Sequence, residues 1–138
     1  MSESPTQRTM RYLRGNGSIC AVVEKWNQHV GPEREKQDRH GMIYRAPVGI
    51  RQDLFGIVDI LVLDPARGFI GVQACSGSTF SAHLNKLIVD NAQACIDWLQ
   101  TPGGKLEIWA WRKVKLKRGG KAERWQPRVQ EITLKDLV

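Results

Sequence analysis

Residues 54–63 are apolar or glycine at every position except Asp59, and residues 69–75 are again so except at Gln73. Between them, Asp64-Pro65-Ala66-Arg67-Gly68 has tight-turn composition, with Pro early and Gly at the end. The two runs read as a β-hairpin with an acid on one strand and an amide on the next. Further on, Leu84, Leu87, Ile88, Cys95 and Leu99 recur at helical spacing with Ala92 on the same face, which predicts one long amphipathic helix from residue 81. Thr101-Pro102-Gly103-Gly104 stops it. Leu106, Ile108 and Ala110 then alternate with Glu107, Trp109 and Trp111 as in a strand, and a last strand is expected over residues 128–134. Before the hairpin, residues 5–13 predict a short helix with Met10 and Leu13 as its apolar stripe. Residues 18–26 predict a strand that puts Cys20, Val22, Glu24 and Trp26 on one face. Residues 27–49 open polar and charged, broken by Gly31-Pro32, and are expected to be a flexible loop. The order is helix, three strands, long helix, two strands: an α/β fold with a mixed sheet flanked by helices.

Composition adds limits. A chain of 138 residues, 41% hydrophobic and 25% charged, is suited to one globular domain spanning 1–138. No apolar run is long enough to span a bilayer, so no membrane association is expected. The polar opening Met1-Ser2-Glu3-Ser4-Pro5 carries no leader-like apolar run, and three cysteines without metal-site spacing suit a reduced, intracellular protein.

Charge changes the picture more. The net charge is +7, and segment 112–128 holds eight Lys or Arg residues against one acid, Glu123. Such a basic stripe suits a polyanion, because every neutralised phosphate releases counterions. Arg112, Lys113, Lys115, Lys117 and Arg118 are the candidate phosphate contacts, while a solvated edge strand would use the same residues without a partner.

The hairpin now has a context. Asp59-Ile60-Leu61-Val62-Leu63, a turn, then Val72-Gln73-Ala74-Cys75-Ser76, followed by a long helix and a further strand, resembles the core of the PD-(D/E)XK nuclease superfamily. Arg51-Gln52-Asp53-Leu54-Phe55-Gly56 leading into Asp59 adds to the likeness, which is nearest to Holliday-junction-resolvase-like and phage-type nucleases. The resemblance covers about residues 18–113. It implies a restriction-endonuclease-like αβββαββ core, Mg²⁺ or Mn²⁺ held by Asp59, Gln73 and the Ala74 carbonyl, a DNA substrate, branched DNA included, and a homodimer. RNA remains open as a substrate.

The chain departs from the family pattern at two positions. Gln73 stands where the second strand usually has an acid, and Cys75 where it has a lysine. Glu24 and Asp53 are the carboxylates placed to make up the first deficit. Lys86, near the start of the long helix, is placed to make up the second, since the lysine relocates to that helix elsewhere in the superfamily.

Each residue also has a plainer reading. Asp59 could sit in a structural ion pair, although a carboxylate in an apolar strand is costly unless paired or metal-bound. Gln73 could be a satisfied core amide. Asp53 could cap a turn, and Lys86 could be the polar side of its helix. Cys75 and Cys95 read as buried small hydrophobes, and Trp109 and Trp111 as packing residues before base-stacking ones. Two other functions stay open: a non-catalytic nucleic-acid-binding protein on a degenerate nuclease fold, and a protein-interaction module whose basic stripe meets an acidic partner.

Overall fold

The computed structural model describes residues 3–137; the domain expected over 1–138 has its first two residues and its last outside that range. Helix α1 (Pro5–Gly15) starts at a reciprocal cap. Ser4 Oγ accepts from the Gln7 amide at 3.1 Å, and the Gln7 side chain accepts from the Ser4 amide at 2.9 Å, satisfying two donors that a helix start leaves open. The expected stripe, Met10 and Leu13, is buried against the sheet. Thr9 is buried too, and its hydroxyl accepts from the Trp111 indole at 2.8 Å.

β1 (Ile19–Val22) follows, and then the chain departs from expectation. The strand expected over 18–26 breaks at Val23 and Glu24, and its second part, β2 (Lys25–Asn27), pairs outside the main sheet. Residues 27–49, expected as a loop, contain a two-stranded arm of β3 (Glu33–Gln37) and β4 (Ile43–Pro47), and β5 (Ile50–Gln52) returns to pair with β2. Most of the arm's side chains are exposed. A ribbon with no buried face leaves no apolar alternation to read, so backbone pairing formed strands that hydrophobic periodicity could not announce.

β6 (Ile60–Asp64) and β7 (Gly68–Ser76) are the expected hairpin, in the register Ile60↔Val72 to Asp64↔Gly68. The first strand is shorter than expected, because residues 54–58 form a tight turn closed by Leu54 and Val58. The expected single helix is divided into α2 (Phe80–Asn85), a π-helical turn (Lys86–Asp90) and α3 (Ala92–Gln100). β8 (Gly104–Lys115) runs parallel to β7, and β9 (Glu123–Ile132) is antiparallel to β8. The main sheet is therefore mixed, in the order β1-β6-β7-β8-β9.

Helices cover both faces of the sheet. Ile60, Val62, Ile70, Val72, Ala74, Trp109 and Trp111 pack under α1. On the other face Cys75, Leu106, Ile108 and Ala110 meet Phe80, Leu87 and Cys95. The alternation along β7 and β8 is what divides the two clusters. Gly71 faces the second cluster, where a Cβ would lie 2.6 Å from Val58 and 3.0 Å from Trp98; only glycine permits that approach. No helix among the described residues is long and apolar enough to cross a membrane.

Candidate metal and catalytic cleft

Asp59 sits one residue before β6, with its backbone held on both sides. Its amide donates to the Val72 carbonyl at 2.9 Å, and its carbonyl accepts from Val23 at 2.8 Å. Fixed there, its carboxylate accepts from the Ala74 amide at 2.9 Å. The residue is only 4% exposed. The break after β1 brings Glu24 to the same place, and the 54–58 turn brings Asp53. One carboxylate oxygen from each of Glu24, Asp53 and Asp59 lies within 4.8 Å of the others. Glu24 is not on a strand, as expected, but in the gap between two.

The remaining two candidates complete the cluster. Lys86 reaches over from the π-helical turn and donates to Asp53 Oδ2, and also to Gln73 Oε1 at 3.0 Å. Gln73 Nε2 donates to the same Asp53 oxygen at 3.2 Å. Gln73, expected to offer its amide oxygen to a metal, thus turns that oxygen toward Lys86. A π turn inserts one residue into the helical repeat, and such turns gather at functional sites. Here the turn carries Lys86, and the Asn91 amide and side chain both donate to the Lys86 carbonyl at its end.

Electrostatics divide the two aspartates. Burial, reinforced by hydrogen bonding to Asp53 and by its charge, pushes the Asp59 carboxyl up to about 9, against the Ala74 amide that it accepts. Burial would also raise Asp53, but hydrogen bonds from Asp59, Lys86 and Gln73 outweigh it and hold the group at about 2. Near neutral pH the pair therefore shares one proton, the expected result of two carboxyl groups crowded into one dry space. Cys75 is buried in the core and its thiol is raised by burial, so it offers no nucleophile.

Above the cluster opens a cleft of about 420 Å³ lined by Arg51, Asp53, Phe55, Lys86 and Asn91 among others. Arg51 pairs with Glu24 at 3.2 Å. Phe55 is 68% exposed at the lip, on a backbone with φ of 56°, followed by Gly56 at 76°. Arg51, Phe55 and Asn91 do not stand out as site residues in the sequence. Arg51 and Phe55 belong to the 51–56 stretch that adds to the family likeness without being singled out there, and Asn91 gives no signal of its own.

The candidate phosphate contacts lie elsewhere. Arg112, Lys113 and Lys115 occupy the outer end of β8, and Lys117 and Arg118 lie just beyond it. The basic segment 112–128 is mostly strand, because β8 and β9 pair as far as Lys115↔Glu123, with a turn around Gly119-Gly120. Among the described residues, none of these five forms an ion pair. Trp109 and Trp111 do not join the basic surface; both are buried, and the Tyr12 ring meets each edge-on. No protein-family model, no curated protein and no solved structure matches this chain.

Proposed function

We propose that this protein is a metal-dependent nuclease of the PD-(D/E)XK kind that cleaves DNA phosphodiesters. The observation that carries this is the convergence of Glu24, Asp53, Asp59, Gln73 and Lys86, from distant parts of the chain, in one cluster whose Asp53 and Lys86 line a cleft. The element order supports it: a helix, three antiparallel strands, a helical layer and a parallel strand are what the family resemblance implies. The free cysteines are consistent with an intracellular site of action.

The donor set fits a hard divalent cation. Three carboxylates crowd together, one of them kept protonated by burial and its neighbours, and Mg²⁺ and Mn²⁺ favour oxygen ligands of this kind. Glu24, Asp53 and Asp59 would hold the ion, with the Ala74 carbonyl as a further donor. When bound, such an ion lowers the pKa of a coordinated water and offsets charge developing on the phosphoryl oxygens. Lys86 brings to the cleft the cation that Cys75 cannot, and its ammonium can orient water or the leaving oxygen. Gln73 acts as a positioning residue, holding Lys86 and Asp53 in register. The basic β8–β9 arm supplies phosphate affinity without sequence reading.

The test is cleavage of duplex, single-stranded and branched DNA, and of RNA, with Mg²⁺ or Mn²⁺. Products from wild type and none from Asp59→Ala are expected; no products on any substrate would sink the proposal. Gln73 and Cys75 favour a second reading, a non-catalytic binding protein on a decayed site. It predicts salt-sensitive DNA binding that needs no metal and yields no product.

A further inference from the structure

β7 ends at Ser76, level with Trp111, while β8 continues to Lys115 beside β9. The early ending leaves a notch of about 350 Å³, walled by Ser76, Gly77, Ser78, Arg112, Trp125 and Arg128 among others. In this wall the Ser76 hydroxyl lies 3.1 Å from that of Ser78 and also 3.2 Å from the Thr79 hydroxyl. Arg112 and Arg128 bring two guanidinium groups to the same wall. The Arg128 guanidinium carbon lies 4.0 Å from the Phe80 ring centroid, and neither Arg112 nor Arg128 pairs with a carboxylate among the described residues. Hydroxyls and arginines without carboxylate partners, in a wall that holds no acid, suit a dianionic phosphate and repel a cation.

The notch also has a place relative to the cleft. Ser76 follows Gln73 by three residues on β7, so their backbones lie about 10 Å apart at the usual strand rise, with the two side chains on opposite faces of the strand. A strand of a few nucleotides is long enough to run from one to the other. Resting on the nuclease assignment above, we propose that this notch is a second phosphate subsite, which grips the strand next to the phosphodiester held at the acidic cleft. Arg112 and Arg128 bind the phosphate oxygens, and Ser78 donates a hydrogen bond. The arm beyond Lys115 then guides the strand toward the notch and does not define the subsite.

The probes are inorganic phosphate and a nucleoside 3′,5′-bisphosphate, titrated in chelator against ¹⁵N-labelled full-length protein. Saturable amide shifts centred on Gly77, Ser78 and Arg112 are expected. Arg112→Gln and Arg128→Gln should each weaken binding about tenfold, as loss of a charge-assisted hydrogen bond would. Ser78→Ala should weaken it severalfold, and Lys135→Gln, exposed in the turn after β9 and outside both arm and notch, should leave it unchanged. Shifts spread evenly over the arm, no saturation, or affinities indifferent to Arg112 and Arg128 would overturn the subsite. Cleavage with Mg²⁺ is scored separately. Phosphate bound in the notch without cleavage keeps the subsite and removes the nuclease; cleavage without phosphate in the notch does the reverse.

Discussion

The acidic cleft and the basic arm stand on one sheet and are built on opposite principles. The cleft gathers Asp59 and Gln73, almost fully buried, with Asp53, Glu24 and Lys86 from distant parts of the chain. Every polar group there answers to a neighbour, so geometry is set by packing and small displacements matter. The arm holds eight of the chain's 21 basic residues against one of its 14 acids, and the rest of the chain is charge-neutral. Its cations are exposed, local in sequence and, among the described residues, free of ion pairs, so its effect is a field set by charge more than by position. On the proposed function, chemistry is concentrated in the cleft and affinity in the arm. Substitutions should separate the two.

The largest expected effect is at Asp59. Asp59→Ala should lower cleavage by about a thousandfold or more, in the range seen when a key electrostatic group is lost, with metal-free DNA affinity changed less than about twofold. Cleavage rates and fluorescence anisotropy measure the two sides; parallel losses in both would erase the distinction. Lys86→Met should follow, lowering cleavage about a hundredfold or more. It should also loosen the cleft, since Asp53 then keeps a buried charge without its cation. Partial rescue by Lys86→Arg would show that a charge at that position is what counts.

The arm comes next. Replacing Lys113, Lys115, Lys117 and Arg118 together by Gln should weaken DNA binding about a hundredfold near physiological salt. The slope of log affinity against log salt should fall by about 0.9 for each phosphate the variant no longer neutralises. Thermal stability should stay put, because these exposed side chains form no ion pairs among the described residues. A stability loss matching the affinity loss would instead make the arm part of the folding core.

Gln73→Glu probes the boundary between structure and chemistry. It adds the carboxylate the resemblance expects, next to Asp53 and Lys86. Metal-free stability should drop by about 1 kcal/mol or more from like-charge crowding in a buried site, while Mg²⁺ affinity, read by calorimetry, should rise about tenfold. Unchanged Mg²⁺ affinity would place the ion away from β7.

A last test is a pH slope. In metal-free protein, folded Asp59 keeps its proton up to about pH 9, whereas unfolded Asp loses it near about pH 4. Between these values the folded state binds more protons, so stability falls as pH rises, by at most about 1.4 kcal/mol per unit. Asp53 acts oppositely, adding stability as pH rises, but only between about 2, its folded value, and the unfolded value. Denaturant melts across pH 5 to about pH 9 should show the decline, and Asp59→Asn should flatten it. An unchanged slope in the variant would assign the titration to another group.

The hairpin was legible because both its strands are apolar around a single polar residue, and α1 because its stripe is local. The 33–47 arm was not, since a ribbon exposed on both faces leaves no periodic trace. Nor was the division of the long helix, because a π turn shifts the apolar repeat by one residue without breaking it. Glu107 shows the matching limit for function. It is buried much as Asp59 is, but Arg67 at 2.8 Å and the Trp109 indole at 3.1 Å satisfy it, so it is structural. An isolated acid in an apolar strand looks the same in sequence in either case.

By itself, the sequence determined the layered α/β order, the polar residues interrupting the core strands and the basic segment, because each is written in local pattern and composition. Only the tertiary structure decided that Glu24 and Asp53 join Asp59 while Glu107 does not, that Lys86 faces Gln73, and that β7 ends early enough to open a notch. Those facts depend on register, on a π turn and on chain breaks that bring together residues as many as 62 positions apart, and no local pattern encodes such a meeting.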